Sequence, residues 1–108
     1  DAWRAGAELV RRGVETALVK LGARGVAVVR ADLRTHIGGY GVRAVDTTGA
    51  GDAFAGALGV ALAEEQPLLD AVRFAVAASA VAVTRTGAQA ALPGRAEVEG
   101  FLRQRCSE

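Results

Sequence analysis

Along the first part of the chain, the arrangement of hydrophobic and polar positions changes from a helical pattern to short apolar runs. Residues 2–12 place apolar side chains among charged ones at helical spacing, which predicts an amphipathic helix that Gly13 ends. Glu8 is spaced to pair with Arg11 or Arg12 on that helix. The apolar, partly β-branched runs that follow predict strands. These strands cover residues 16–21, 25–30 and 34–37, and a short extended piece covers residues 42–45.

From Gly51 onward the pattern becomes helical and rich in small apolar residues. It predicts helices over residues 52–65, 68–85 and 95–104, a turn at 86–89 and an extended stretch at 90–93. The C-terminal half of the second of these helices is apolar nearly all round, which predicts that it is buried. Gly56 and Gly59 lie on the first, where glycine costs about 1 kcal/mol relative to alanine, a cost that is tolerable if another element packs against them. The order of elements predicts an α/β fold with antiparallel pairing at the hairpin.

Composition and charge narrow the class of protein. The 108 residues, 51% of them hydrophobic, are enough for one small domain or for part of a larger one. A net charge of +1 without a basic patch argues against nucleic acid as a partner. The longest uncharged runs fall short of the roughly 20 residues that span a bilayer, which argues against a membrane protein. Cys106 is the single cysteine, which fits a reducing, cytoplasmic setting. The lack of Met and the opening in mid-helix indicate a fragment or a processed product.

The candidate chemistry lies in the segment Asp46-Thr47-Thr48-Gly49-Ala50-Gly51-Asp52-Ala53-Phe54. Gly49, Ala50 and Gly51 leave little side-chain bulk at the start of a helix, whose first N–H groups lack intrahelical acceptors and attract anions. A phosphoryl group held there would have Asp52 beside it as a general base. The segment is neither a Walker A loop, which needs Gly-Lys-Ser/Thr, nor a complete dinucleotide fingerprint. A second interpretation stays open, in which Asp52 only complements the helix dipole.

The same segment resembles the C-terminal signature of the ribokinase family of carbohydrate and nucleoside kinases. Two further segments resemble that family in order and spacing, since Leu21–Gly25 is similar to its nucleotide-side strand turn and Val83–Gln89 to its late loop. The resemblance implies an α/β fold, the C-terminal portion of a ribokinase-like three-layer α/β/α sandwich of Rossmann-like type. Residues 1–108 would form its nucleotide-binding and catalytic part. The family's glycine-rich sugar segment and its β lid are expected in an N-terminal half outside this chain, so the lid is absent here.

The resemblance also implies roles for individual residues. Asp52 would contact the sugar and take the proton from its primary hydroxyl, and Gly49, Ala50 and Gly51 would form the anion hole. The positions on the ATP side would be Lys20, Leu21, Gly22, Ala23, Arg24, Gly25, Gly51, Asp52 and Val76. An activating monovalent cation, K⁺, would be bound largely through backbone carbonyls by Asp46, Thr48, Ala82, Arg85, Gly87 and Ala91. Mg²⁺ would arrive with ATP.

Three positions depart from the ribokinase pattern. Lys20 stands where ribokinases often have Thr, and a Lys there is similar to ketodeoxygluconate kinases. Ala91 replaces a Ser, which removes a hydroxyl from the cation site, and Val76 replaces a polar residue, which leaves only apolar contact with adenine. Asp46 has a second interpretation as a turn carboxylate that bonds its own backbone. His36 is expected to have no catalytic or metal role.

The sequence therefore predicts an ATP-dependent carbohydrate kinase, with ribose favoured over ketodeoxygluconate or another sugar, and with little activity expected from the 108 residues alone. A truncated, non-catalytic module that binds nucleotide or a partner stays open. An NAD-binding domain is disfavoured because the usual acidic ribose ligand is missing. The expected partners are a sugar and ATP. An open sheet edge and apolar helices also predict that the chain forms homo-oligomers or needs an N-terminal half to cover them.

Overall fold

The computed structural model describes residues 1–84 and 93–106 of the chain. The chain divides into two compact units, a first unit Asp1–Tyr40 and a second unit Gly41–Glu108. The first unit carries the sheet. The second unit carries the glycine–aspartate segment, residues 46–54, and the three helices that begin within or after it. No helix in the described ranges combines the length and the apolar character that crossing a membrane requires.

The first unit is a helix followed by a three-stranded antiparallel sheet. Its elements are α1 (Ala2–Arg11), β1 (Ala17–Lys20), a short 3₁₀ helix (Gly22–Arg24), β2 (Val26–Arg30) and β3 (Leu33–Ile37). The strand order is β1-β2-β3, so the central strand β2 pairs on both sides. Val26 pairs with Lys20 in β1 and with Ile37 in β3. Each predicted strand lies within two residues of its observed bounds, and antiparallel pairing extends to both strand pairs.

Helix α1 packs against β1 and β2, and its sequence provides a cap, an ion pair and one close approach to the sheet. Asp1 caps the helix, since its carboxylate accepts a hydrogen bond from the Arg4 N–H at 2.8 Å. Both predicted partners of Glu8 bind it, with Arg12 Nε at 2.9 Å from its carboxylate and Arg11 also paired. Gly6 is buried, and an added Cβ there would lie 2.6 Å from a Val29 methyl group, so only glycine allows this spacing.

The second unit is built from three helices, α2 (Ala50–Ala63), α3 (Leu68–Ala82) and α4 (Arg95–Cys106). Helix α3 packs against both α2 and α4 and forms the centre of the unit. The predicted burial of its C-terminal half is confirmed, because most side chains of that half have little or no exposure to solvent. The buried positions of the whole helix are Ala71, Val72, Ala75, Val76, Ala77, Ala78, Ala80, Val81 and Ala82. Small side chains on α2, including the fully buried Ala61, allow the two helices to approach closely.

Three features of the second unit differ from the sequence prediction. Helix α2 begins at Ala50 rather than at residue 52, because the left-handed Gly49 already turns the chain into the helix. Helix α3 ends at Ala82 rather than at residue 85, and the extended piece at 42–45 joins no strand of the described sheet. No described residue packs closely against Gly56 or Gly59, since a Cβ at either position would meet nothing within 4 Å. The predicted turn at 86–89 lies outside the described residues, as does nearly all of the extended stretch at 90–93.

Candidate active site

The glycine–aspartate segment forms a tight turn that opens helix α2. Gly49 precedes the helix with φ 83° and ψ −2°, in the left-handed region that favours glycine. Asp46 accepts a hydrogen bond from the Thr48 N–H at 2.9 Å, which is the turn interaction of an aspartate with its own backbone. The Ala50 N–H donates to the Thr47 carbonyl at 3.2 Å. These bonds fix the direction in which the helix starts.

The start of α2 presents backbone donors that the described part of the chain does not use. The N–H groups of Gly49, Gly51 and Asp52 have no acceptor among the described residues, whereas the Ala50 N–H is bonded to Thr47. Successive N–H groups around a left-handed residue at a helix start form a concavity that binds anions. Of the three residues predicted to form the anion hole, Gly49 and Gly51 have N–H groups without a described acceptor, whereas the Ala50 N–H is already bonded.

Asp52 lies in the first turn of α2, immediately beside these donors. Its side chain is exposed, and its carboxylate has no hydrogen bond or ion pair with any residue that the structure describes. It borders a cleft of about 160 Å³ inside the second unit. The other walls of this cleft are Ala53, Gly56, Ala57, Val60, Phe74, Ala78, Pro93, Arg95 and Val98. A carboxylate that is accessible and unpaired is available to accept a proton from a ligand.

The predicted cation ligands that the structure describes lie around the C-terminal end of α3. The N–H groups of Val45 and Asp46 both donate to the Val83 carbonyl, at 2.6 and 3.1 Å, which ties the segment before α2 to the end of α3. This contact brings Asp46 and Thr48 to the residue that follows Ala82. Ala82 is fully buried and shares a core cluster with Ala53 of α2. The remaining three predicted ligands, Arg85, Gly87 and Ala91, lie outside the described residues.

The predicted nucleotide-side turn, Lys20–Gly25, lies in the first unit. Lys20 ends β1 with an exposed side chain, and Gly22–Arg24 form the 3₁₀ helix that leads into β2. The turn is closed by the Leu21 N–H, which donates to the Gly25 carbonyl at 2.8 Å, and by the Gly25 N–H, which donates to the Gly22 carbonyl at 3.1 Å. Gly25 has φ 96°, which again favours glycine. The sequence prediction of a tight turn at this point is confirmed.

Val76, the predicted adenine contact, is buried within the second unit with 6% exposure. Its contact with a base stays a prediction, as do the assigned roles of the other site residues. Three contacts were not predicted from the sequence, because they join residues that are far apart in the chain. They are the hydrogen bond between His36 and the Arg24 carbonyl, the bonds to the Val83 carbonyl, and the ion pair between Arg95 and Glu64 at 2.6 Å. For the His36 contact alone there is a sequence signal, the alternation along β3 that puts His36 on an exposed face.

In residues 1–84 and 93–106 no three His, Cys, Asp or Glu side chains lie close enough to hold an ion together. The carboxylate of Asp46 and the backbone carbonyls around Thr48 offer oxygen atoms, which are the ligands that hard cations prefer. A cation at this place would therefore rely on backbone oxygens with one carboxylate, as the resemblance implies.

Residues 1–95 match the family described as pfkB family carbohydrate kinase. The chain is 46% identical over 91 residues to the ribokinase of Haemophilus influenzae, and the match covers 84% of this chain and 30% of that protein. It is 37% identical over 93 residues to a fructokinase of Solanum tuberosum, with 80% of this chain and 29% of that protein covered. The chain thus spans about a third of the length of the curated relatives it matches.

Solved structures are similar over almost the whole chain. The ribokinase of Thermotoga maritima matches with a TM-score of 0.91 and 46% identity, over 94% of this chain and 34% of that one. The ribokinase of Arabidopsis thaliana, solved with ribose and ATP, matches with a TM-score of 0.86 and 35% identity, over 93% of this chain and 33% of that one. These matches confirm the predicted ribokinase-like α/β fold.

The fold, which places an exposed carboxylate beside backbone N–H groups without described acceptors at one helix start, is that of the ribokinase-like proteins. The family resemblance seen in the sequence is confirmed by the match over residues 1–95 and by relatives in sequence and structure. The chain belongs to the pfkB family of carbohydrate kinases.

Proposed function

We propose that the chain is the C-terminal, nucleotide-binding and catalytic part of an ATP-dependent sugar kinase, with Asp52 as general base and ribose as the favoured substrate. The observation that carries this proposal is the exposed Asp52 carboxylate beside the N–H groups of Gly49 and Gly51, none of which bonds to another residue that the structure describes. Phosphoryl transfer to a hydroxyl needs both features, because the hydroxyl loses a proton while negative charge builds on the phosphoryl oxygens.

The proposed reaction uses these groups in one step. The sugar hydroxyl oxygen attacks the γ-phosphorus of ATP and its proton passes to the Asp52 carboxylate. The bond between the γ-phosphorus and the β,γ-bridging oxygen breaks, and ADP leaves. The N–H groups of Gly49 and Gly51 donate to the oxygens of the transferred group, where the positive end of the α2 dipole adds to the stabilisation. Mg²⁺ bound to the ATP phosphates would neutralise the charge on the β- and γ-oxygens.

The proposal includes ATP contacts from Lys20, Leu21, Gly22, Ala23, Arg24, Gly25 and Val76, and a K⁺ site near Asp46. Support for the K⁺ site comes from the Asp46–Thr48 turn. Hydrogen bonds to the Val83 carbonyl hold this turn beside the end of α3, where Ala82 lies. A bound cation there would fix the helix start that carries the anion-accepting N–H groups. Arg85, Gly87 and Ala91 would complete the site.

The preference for ribose is supported by 46% identity to two ribokinases, that of Haemophilus influenzae and that of Thermotoga maritima. Lys20 supports the alternative that the sugar is ketodeoxygluconate, because a Lys at the end of β1 would add positive charge for a carboxylate-bearing substrate or for ATP. Fructose is the third candidate within the same family.

Sugar-dependent release of ADP from ATP tests this function. The assay uses a protein of the relatives' full length that contains this chain, called the kinase-length protein below, with ribose, fructose and ketodeoxygluconate compared at equal concentration. We expect the highest kcat/KM for ribose and a phosphorylated sugar in equal amount to ADP. A higher kcat/KM for either other sugar would reassign the substrate, and the absence of sugar-dependent ADP release would refute the kinase function.

A non-catalytic module that binds nucleotide or a partner is the second candidate. The observations that favour it are two departures from the ribokinase pattern, Ala91, which removes a hydroxyl from the cation site, and Val76, which leaves only apolar contact with adenine. This alternative predicts saturable binding of Mg·ATP by the 108-residue chain, with no sugar-dependent ADP release from the kinase-length protein. Sugar-dependent turnover would exclude it.

A further inference from the structure

The Gly22–Gly25 turn in the first unit rests directly on the backbone that follows β3. An added Cβ at Gly25 would lie 1.9 Å from the Ile37 carbonyl oxygen. An added Cβ at Gly39 would lie 2.0 Å from the Ala23 carbonyl oxygen. Both distances are far shorter than any real contact of a Cβ atom, so the two backbones touch at positions where only glycine fits.

His36 adds a side-chain bond to the same contact. Its Nε2 atom lies 2.6 Å from the Arg24 carbonyl oxygen. A carbonyl oxygen only accepts hydrogen bonds, so Nε2 carries the hydrogen and donates it. The imidazole is exposed on β3, so burial of its ring does not explain its position. The bond holds the last residue of the 3₁₀ helix in place.

The arrangement leaves the side chain of Arg24 available. The His36 bond uses the main-chain carbonyl of Arg24, while the Arg24 guanidinium is exposed and has no hydrogen bond or ion pair in the described part of the chain. A guanidinium in this state is suited to a phosphate oxygen. A turn that is already fixed binds such a ligand with a smaller loss of conformational entropy than a flexible one.

We propose that His36 and Gly39 are positioning residues that hold the Lys20–Gly25 turn in the shape in which it binds the phosphates of a nucleoside triphosphate. This inference rests on the proposed function, which assigns that turn to ATP. Neither residue touches the ligand. Each acts through the turn, Gly39 by allowing the close backbone contact and His36 by fixing the Arg24 carbonyl.

Two matched pairs of variants test the proposal in the 108-residue chain. Gly39→Ala is compared with Gly38→Ala, because a Cβ at Gly38 meets nothing within 4 Å and neither glycine has a positive φ. His36→Ala is compared with Arg34→Ala, which removes a side chain from the same exposed face of β3 two residues earlier. His36→Gln serves as the conservative variant, since its amide N–H can also donate to a carbonyl.

Three measurements separate positioning from general stability. Hydrogen exchange of the Leu21 and Gly25 amides by NMR reports the turn, since both amides donate within it. Calorimetric titration with Mg·ATP reports nucleotide affinity, and Tm reports global stability. We expect His36→Ala to speed exchange of these amides and to weaken ATP binding by about 2- to 10-fold, the loss of one hydrogen bond. His36→Gln should restore affinity to within about 2-fold, and Gly39→Ala should weaken binding more than His36→Ala.

The outcomes distinguish this inference from the proposed function. Faster exchange and weaker ATP binding in Gly39→Ala and His36→Ala, with Gly38→Ala and Arg34→Ala unchanged, support it. If the Leu21 and Gly25 amides of His36→Ala exchange at the unchanged rate, the positioning role of His36 is overturned, even where ATP affinity falls. Equal ATP affinity in all variants overturns the link to the nucleotide while the proposed function stands. If the unchanged chain shows no saturable ATP binding, the assignment of the turn to ATP fails, and the inference fails with it.

Discussion

At the residue scale, the candidate site depends on one backbone conformation. Gly49 adopts φ 83°, and this left-handed residue both starts α2 and leaves the N–H groups of Gly49 and Gly51 without acceptors in the described chain. A residue with a Cβ pays roughly 1–2 kcal/mol to adopt that conformation. The glycine is therefore needed for the turn itself, and the small size of Ala50 keeps the approach to the helix start open.

Replacing Gly49 by alanine should lower the free energy of unfolding by about 1–2 kcal/mol, measured by urea denaturation of the 108-residue chain. The matched control is Gly59→Ala in the interior of α2, where the added methyl group meets no neighbour within 4 Å and φ is not positive. That control should raise the free energy of unfolding by about 0.5–1 kcal/mol, because alanine is the better helix former. A loss of stability from Gly59→Ala, or none from Gly49→Ala, would contradict the assigned conformations.

At the element scale, local patterns predicted most of the fold. The strands and α1 could be read from short apolar runs, glycines and the charge spacing at Glu8, because each of these signals acts within a few residues. The start of α2 was placed two residues late, since the sequence of the turn does not reveal that Gly49 is left-handed. The support of the Lys20–Gly25 turn by His36 could not be predicted, because it needs the register of β2 and β3.

Helix α1 offers a pH-dependent test of the charge spacing. Hydrogen bonds from Arg11 and then Arg12 hold the pKa of the Glu8 carboxyl below its ordinary value of 4.5. Because the folded-state pKa is lowered, the pair stabilises the chain above pH 4.5, and this contribution is lost as the pH falls through the folded-state pKa. The effect is small, since exposed ion pairs contribute little.

Glu8→Gln should therefore lower Tm slightly at neutral pH, and the gap to the unchanged chain should close as the pH falls below 4.5. Thermal unfolding followed by circular dichroism at several pH values measures this gap. Glu99→Gln is the control, because Glu99 has no ion pair with the described residues. A gap for Glu8→Gln that persists unchanged in acid would show that packing, rather than the ion pair, supports α1.

At the scale of the whole molecule, the chain exposes apolar surface that its own described residues do not cover. Helix α2 carries Val60 at 48% and Leu62 at 45% exposure, together with the open positions at Gly56 and Gly59. A surface of this kind favours association with another protein surface. The chain also spans about a third of its relatives' length.

We therefore expect the 108-residue chain to associate with itself at micromolar concentration. Sedimentation velocity measures the distribution of species. Val60→Lys should shift it towards monomer, because a charge on the exposed apolar face opposes burial. Ala55→Lys, on an exposed position of the same helix, should have a smaller effect. A single monomeric species at every concentration would contradict the expectation.

The turnover of Asp52→Asn in the kinase-length protein tests the central claim most directly. If Asp52 is the general base, kcat should fall by about 10²- to 10⁴-fold, while Mg·ATP affinity, measured by calorimetric titration, stays unchanged. Asp70→Asn is the matched control, because Asp70 is also an exposed carboxylate in the first turn of a helix, where it pairs with Arg73 at 3.2 Å. Its kcat should equal that of the unchanged protein. Near-normal turnover in Asp52→Asn would contradict the role of this carboxylate.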